Sequence, residues 1–413
     1  MMGNKKYNIG FDRAFQIAMT NTPLLSDESV TILDAVGRVV SRSIQATNSA
    51  PSVTSSLKDG FAIISEDIAL AQPDHPVPLE LIGRIEAGSD KIFHITSGKA
   101  VRILTGAAIP QGADAVLSEE FTTVKGNTIY ACADSKKGRN IMAEGTDVQI
   151  GDLLISEGTE ITPSAISCLV AGGITNVHVY KKPCTGLLAT GDEILLPGAE
   201  FIKGKLFASN LALQKAWLKS KGFPTFFSIS GDSFQQLSEE VLELHQKTDA
   251  IITSGGAWKG DRDLIVKVLD HLGWNKLFHR VRMGPGKAIG MGLLEGKPVF
   301  CLPGGPPSNE MAFLMIAFPA ICKMAGYGNT PFVRLKGKLM SRVQGEPDWT
   351  QCIHTTIEKN KDEFFIHPIK FKSRLKSMAK AQAILVIPEG ISEIDAGNTV
   401  NVHLLDHTIM KHS

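Results

Sequence analysis

The chain has 413 residues, more than one hydrophobic core can serve, so roughly two to four domains are expected. A hydrophobic content of 43% and a charged content of 21% belong to a soluble globular protein. The formal net charge of +1 supplies no global field for nucleic acid or an anionic membrane, so any anion site must be local.

Phe11, Phe15, Ile17 and Met19, ahead of Thr22-Pro23, predict a short amphipathic helix over 10–22 with a proline stop. Leu33-D-A-V-G-R-V-Val40 reads as a helix end followed by an extended segment. Residues 51–135 read as a small β-domain with runs at Val77–Ile85, Lys91–Ile95, Ala100–Ile103 and Ala115–Glu119. Within Thr123-V-K-G-N-Thr128, Gly126-Asn127 marks a hairpin turn. Residues 24–50 and 136–176 form a mixed linking domain, in which Ile161-T-P-S-A-I-S-C-L-V-A-G-Gly173 predicts a helix with Pro163 in its first turn.

Residues 8–22 and 177–328 form a central α/β domain. Three short apolar runs, Thr185–Ala189, Ala250–Thr253 and Pro298–Leu302, have the length and flanks of buried parallel strands. Helices alternate with them. Phe234, Leu237, Val241 and Leu244 mark one, with Ser233-F-Q-Gln236 as its capping box. Leu264 to Leu272 marks another, and Ser308 to Met324 a third that Pro319 kinks or ends. The alternation predicts a parallel sheet covered on both faces. Residues 331–413 return to strands at Phe332–Leu339, Gln351–Ile357, Glu363–Ile369, Ala383–Ile387 and Val400–Leu405.

The N-terminus, Met1-M-G-N-K-K-Tyr7, lacks the apolar core of a secretory signal. The longest apolar stretch, Met311 to Cys322, is too short to cross a bilayer. A cytoplasmic location is expected, without membrane or nucleic-acid partners. The six cysteines form no C-x-x-C pair and read as free buried thiols. Of the eleven histidines, only His403 and His407 fall at H-x-x-x-H spacing, on a strand-like segment, so a structural zinc site is not expected.

Each apolar run of the central domain ends in a glycine-rich break: Thr190-G-D-Glu193, Ser254-G-Gly256 and Pro303-G-G-P-P-Ser308. Open α/β sheets bind ligands outside the carboxyl ends of their strands. Exposed backbone N–H groups there suit an anion, but one helix terminus supplies only about 0.3–1 kcal/mol, so a lysine or arginine must help. Gly284-P-G-Lys287 offers Lys287, just after a predicted strand at Leu277–Met283. Asp192, Glu193, Asp232, Asp261 and Asp263 fall at strand-to-helix junctions. Magnesium takes one or two such carboxylates plus substrate phosphate oxygens. Asp232 and Asp263 are also well placed as helix N-caps. No Walker-type loop or dinucleotide fingerprint is present, which disfavours a nicotinamide dehydrogenase.

Taken as a set, Thr190-G-D-Glu193, Ser254-G-G-A-W-K-G-D-R-Asp263, Gly284-P-G-Lys287 and Leu302-P-G-G-P-P-Ser308 resemble the loops of the molybdopterin molybdotransferases, the MoeA type that includes the gephyrin E domain. Ser56-L-K-D-G-F-Ala62, Arg102-I-L-T-G-A-A-I-P-Q-G-A-D-A-Val116 and Asn140-I-M-A-E-G-T-Asp147 resemble further motifs of that family, in the same order.

The resemblance implies a multi-domain α/β and β protein. It would have a central molybdopterin-binding-like α/β domain, a small β-domain, a mixed linking domain and a C-terminal β-barrel-like domain. It implies a homodimer whose site lies between the central domain of one subunit and the Asp59/Thr105 β-domain of the other. The implied reaction takes adenylylated molybdopterin, molybdate and magnesium, and releases AMP and molybdenum cofactor. A molybdopterin adenylyltransferase and apo-molybdoenzymes are the implied protein partners.

Carried over by position, Asp59, Thr105, Asp147, Glu193 and Lys287 match catalytic positions, and Glu193, Asp232, Asp261 and Asp263 the acids around the metal. Thr190, Gly191, Asp192, Ser254, Gly255, Gly256, Trp258, Lys259, Gly286, Pro303, Gly304 and Ser308 fall in the substrate-binding loops. The chain departs from the family pattern at Trp258 and Lys259, at Gly284 and Ala288 (lysine and proline in the family), and at Gly305 and Pro307. Lys58, Met142 and Thr146 stand where methionine, arginine and glutamate are usual. Insertion of molybdate, or of tungstate, is the leading reading. A non-inserting paralogue that carries or modifies the cofactor is the alternative, and a protein with only nucleotide-transfer chemistry is a third.

Overall fold

Alternating side chains along the buried strands decide how the central sheet is covered. Leu187, Ile252 and Phe300 pack into one apolar cluster, whereas their neighbours Leu188, Ile251 and Cys301 pack into another. The first cluster takes Ala14 and Ala18 of the helix Phe11–Asn21, Leu211 and Leu218 of Ser209–Ser220, and the helical stretch from Met311 to Met324. The second takes Leu237, Val241 and Leu244 of Phe234–Lys247 with Ile265 and Leu269 of Leu264–His271. Strands apolar on both faces thus receive helices on both.

The computed structural model describes residues 9–255, 264–328, 330–361, 363–370 and 373–405. It divides into two units, one of residues 1–28, 37–41 and 179–413, the other of 29–36 and 42–178. His407 lies outside the described residues. No helix among those described is long and apolar enough to cross a membrane.

In the first unit the strand order is Thr225–Ser230, Thr185–Thr190, Ala250–Ser254, Lys297–Leu302, Gly290–Leu294, Asn275–His279. The first four run parallel, and the last two join antiparallel. The sheet is therefore mixed, where a parallel sheet was expected. The expected strand Leu277–Met283 is two strands, Asn275–His279 and Val281–Gly284, broken at Arg280 with φ of 72°. The second piece leaves the central sheet and pairs with Ile9–Gly10 and with the strand Thr350–Asn360.

Thr350–Asn360, Glu363–Pro368, Arg334–Leu339, Thr399–Leu404 and Ala383–Ile387 are bonded in that order, and Ala383–Ile387 pairs back with the first. The result is a closed five-strand barrel around Leu339, Ile366, Leu385 and Val402. The helix expected over Ser308–Met324 is Pro306–Ala312, a π-turn at Phe313–Ala317, and Phe318–Met324. Pro319 has no N–H to donate, and the wider turn just before it absorbs the fault.

In the second unit the sheet order is Ala115–Ser118, Gly60–Ile63, Lys99–Ile103, Val77–Ile85, Thr128–Ala131, Thr122–Lys125. The hairpin pairs Thr128 with Lys125 around Gly126-Asn127. The expected strand Lys91–Ile95 is absent. Ile92 is 92% exposed there, and only His94 forms an isolated bridge, to Gln111. In Pro163–Ala171, Thr162 caps the helix by accepting the Ala165 N–H at 3.2 Å. The six cysteines are free, but Cys168 is exposed rather than buried, while burial pushes the Cys352 thiol up to about 12.

Candidate functional site

Thr190 closes the strand Thr185–Thr190, and the turn 191–193 follows it. The N–H of Asp232 donates to Asp192 Oδ1 at 3.2 Å, tying that turn to the one after Thr225–Ser230. Gly255, behind the strand Ala250–Ser254, has φ of 104°. A Cβ there would lie 2.9 Å from the Thr190 carbonyl oxygen and 3.0 Å from Thr190 Oγ1. Only glycine permits so close an approach in that conformation. The Cβ position of Gly304 is in turn 3.7 Å from Gly255 Cα. The three glycine-rich loops therefore form one continuous rim at the carboxyl ends of adjacent parallel strands.

A buried amide network holds that rim from below. Asn309, fully buried, donates to Ser254 Oγ at 3.0 Å and to the Pro303 carbonyl at 2.8 Å. Its Oδ1 accepts from Gln214 Nε2 at 2.8 Å. Asn210 donates to the Gly304 carbonyl at 2.9 Å and to Ser254 Oγ at 3.2 Å. Sequence reasoning missed all three amides. Their one visible signal is Asn210 and Gln214 at i and i+4, two polar residues on a single face of the helix Ser209–Ser220.

Beside the rim, a cavity of about 410 Å³ is lined by Lys287, Pro303 and Ser308, with Gly284 and Gly286 on the lysine's own loop. Its far wall comes from the barrel segment: Glu346, Trp349 and Gln351. Lys287 and Ser308, singled out separately in the sequence, thus share one chamber. The barrel residues were not anticipated.

Asp192, Glu193 and Asp232 are exposed on the rim. Ser233, not Asp232, caps the helix Phe234–Lys247, by accepting the Gln236 N–H at 3.4 Å, so the N-cap reading of Asp232 is set aside. Among the described residues no three His, Cys, Asp or Glu side chains form a cage for a metal. The donor set present instead suits magnesium shared with a ligand, which takes one or two carboxylates and phosphate oxygens. Gly256, Trp258, Lys259, Asp261 and Asp263 lie outside the described residues.

In the second unit, Asp59 and Thr105 form a pair. Asp59 Oδ1 accepts the Thr105 backbone N–H at 2.7 Å and its hydroxyl at 2.8 Å. These two bonds, the backbone one foremost, with help from the Arg102 charge, hold the Asp59 carboxyl below its ordinary value. Asp147 is exposed in the same unit.

Three family models match the chain in order. Residues 9–173 match the MoeA N-terminal region (domain I and II), 186–323 a probable molybdopterin binding domain, and 336–405 the MoeA C-terminal region (domain IV). The chain belongs to the MoeA family. Relatives named molybdopterin molybdenumtransferase span it end to end. One from Staphylococcus epidermidis is 29% identical over 409 residues, covering 98% of each chain. One from Bacillus subtilis is 29% identical over 386 residues, covering 92% of this chain and 90% of that one. A solved MoeA structure, a molybdopterin biosynthesis protein from Pyrococcus horikoshii, is 27% identical with a TM-score of 0.83. It covers 97% of this chain and 99% of its own. Four-strand parallel core, flanking helices and terminal barrel thus belong to a known MoeA fold.

Proposed function

We propose that this protein is a molybdopterin molybdotransferase of molybdenum cofactor biosynthesis. It inserts molybdate, or tungstate of equal charge and similar size, into adenylylated molybdopterin and releases AMP. The observation that carries this reading is the shared chamber of Lys287 and Ser308 beside the glycine rim. Its volume of about 410 Å³ suits a small ligand.

The chain's own work in this reaction is positioning and charge stabilisation. The backbone of the Thr190, Gly255 and Gly304 loops approaches the nucleotide phosphates, where side chains would block it. Lys287 faces the incoming oxyanion with its ammonium. Glu193, Asp232, Asp261 and Asp263 would hold magnesium, with Asp192 beside them in the substrate-binding turn. When bound, magnesium would supply charge neutralisation at the phosphates. A second copy of this chain, in a cytoplasmic homodimer, brings the Asp59–Thr105 pair to the nucleotide. A molybdopterin adenylyltransferase supplies the substrate, and apo-molybdoenzymes receive the product.

Purified protein given adenylylated molybdopterin and magnesium should release AMP in proportion to added molybdate. Release that ignores molybdate would sink the insertion step. Glycine at 284, where the family carries a lysine, favours one second reading, a non-inserting paralogue that carries or modifies the cofactor. That protein would bind the pterin tightly and release no AMP.

A further inference from the structure

The cavity around Lys287 is not the purely cationic pocket that a doubly charged oxyanion would ordinarily find. Among the described residues its lining carries one lysine and one carboxylate, Lys287 and Glu346, whose formal charges cancel. Gly284 leaves room where the family has a lysine, and that room is occupied. A Cβ at 284 would lie 2.9 Å from Gln351 Oε1 and 3.1 Å from Gln351 Nε2. The register explains why, since Gly284 and Gln351 are direct partners in the parallel pairing of Val281–Gly284 with Thr350–Asn360. A neutral carboxamide from the barrel therefore lies where a side chain at 284 would begin. Gln351 lines the same chamber as Lys287.

We propose that Gln351 is an oxyanion-binding residue of this cavity, and that Glu346 sets how tightly the cavity holds a free dianion. The proposal rests on the molybdotransferase reading and deepens it. A carboxamide offers two N–H donors, and a donor to an ionised oxygen makes a stronger bond than one between neutral groups. An ionised carboxylate offers only acceptors and opposes a fully ionised oxyanion across a small chamber. The described walls thus present the anion with directed donors beside Lys287 and an opposing carboxylate at Glu346. Free oxyanion is held loosely and released readily to the pterin.

Equilibrium dialysis of the full-length protein against molybdate and against tungstate tests this. Gln351→Met fills the same volume without donors, and is expected to weaken binding by about tenfold. Glu346→Gln removes the opposing charge and is expected to tighten binding by about fivefold. Unfolding midpoints of both variants, measured alongside, should stay near that of the native protein. If both variants bind within about twofold of the native protein while Lys287→Met weakens binding, Gln351 only fills space and the inference fails, leaving the molybdotransferase reading intact. If the native protein binds neither oxyanion alone yet releases AMP in proportion to molybdate, the inference fails and the molybdotransferase reading stands.

Discussion

Glu310 and His354 meet at 2.6 Å between carboxylate oxygen and Nε2, both side chains buried, and so join the helix Pro306–Ala312 to the barrel strand Thr350–Asn360. Glu310 sits two residues beyond Ser308, and His354 three beyond Gln351, so this contact fixes the separation of two cavity walls. Removing one partner of a buried hydrogen-bonded pair strands the other without solvent. His354→Ala is expected to lower unfolding free energy by about 3–5 kcal/mol, read from urea denaturation. An unchanged midpoint would show that the walls are held by packing alone.

Asn309 makes the second such prediction. Asn309→Ala leaves Gln214 Nε2 and the Pro303 carbonyl short of a buried partner, at about 1–3 kcal/mol each, while Ser254 Oγ keeps only its bond from Asn210. AMP release should fall further than stability, because the Ser254 and Pro303 loops lose their common tether. Full activity in the variant would mean that the rim keeps its shape without the network.

Much of the fold was legible because it is local. The 3,4,3 spacing of Phe234, Leu237, Val241 and Leu244 with Ser233 ahead specifies a helix and its start, and the start lies where expected. The apolar runs Thr185–Ala189, Ala250–Thr253 and Pro298–Leu302 likewise mark buried strands, each within one residue of the strand observed. The strand at Leu277–Met283 misled because its apolar residues continue through Arg280, and a positive φ at a non-glycine residue leaves no compositional trace. The site divides the same way. Its glycine loops announce themselves, whereas Gln214 and Asn309 find each other across 95 positions and look like ordinary polar residues until folded. Gln351 enters the cavity only because Val281–Gly284 deserts the central sheet for the barrel, a tertiary choice that no local pattern encodes.

The Asp59–Thr105 pair has a pH signature with a definite sign. The native carboxyl titrates below its ordinary 3.8, so its stabilising effect is complete above that value. It is lost as pH falls through the lower native value. Thr105→Val removes the hydroxyl bond but keeps the backbone one, so Asp59 should then titrate closer to 3.8 without reaching it. Carboxyl-carbon NMR on the folded protein reads this directly. No movement would mean that the backbone N–H and the Arg102 charge set the value without the hydroxyl.

Gly255 is where the rim tolerates least change. Alanine there must adopt φ of 104°, a region that L side chains rarely enter, and its methyl would meet Thr190 at 2.9 Å. The strain alone is about 1–3 kcal/mol, and relief requires the Thr190 and Ser254 strand ends to part. Gly255→Ala should therefore reduce AMP release by at least about tenfold, mainly in kcat, because the phosphates lose alignment more than contact. Its unfolding midpoint should fall as well. A variant with native turnover would show that nucleotide positioning does not depend on how closely these two turns approach, and the rim would cease to explain catalysis.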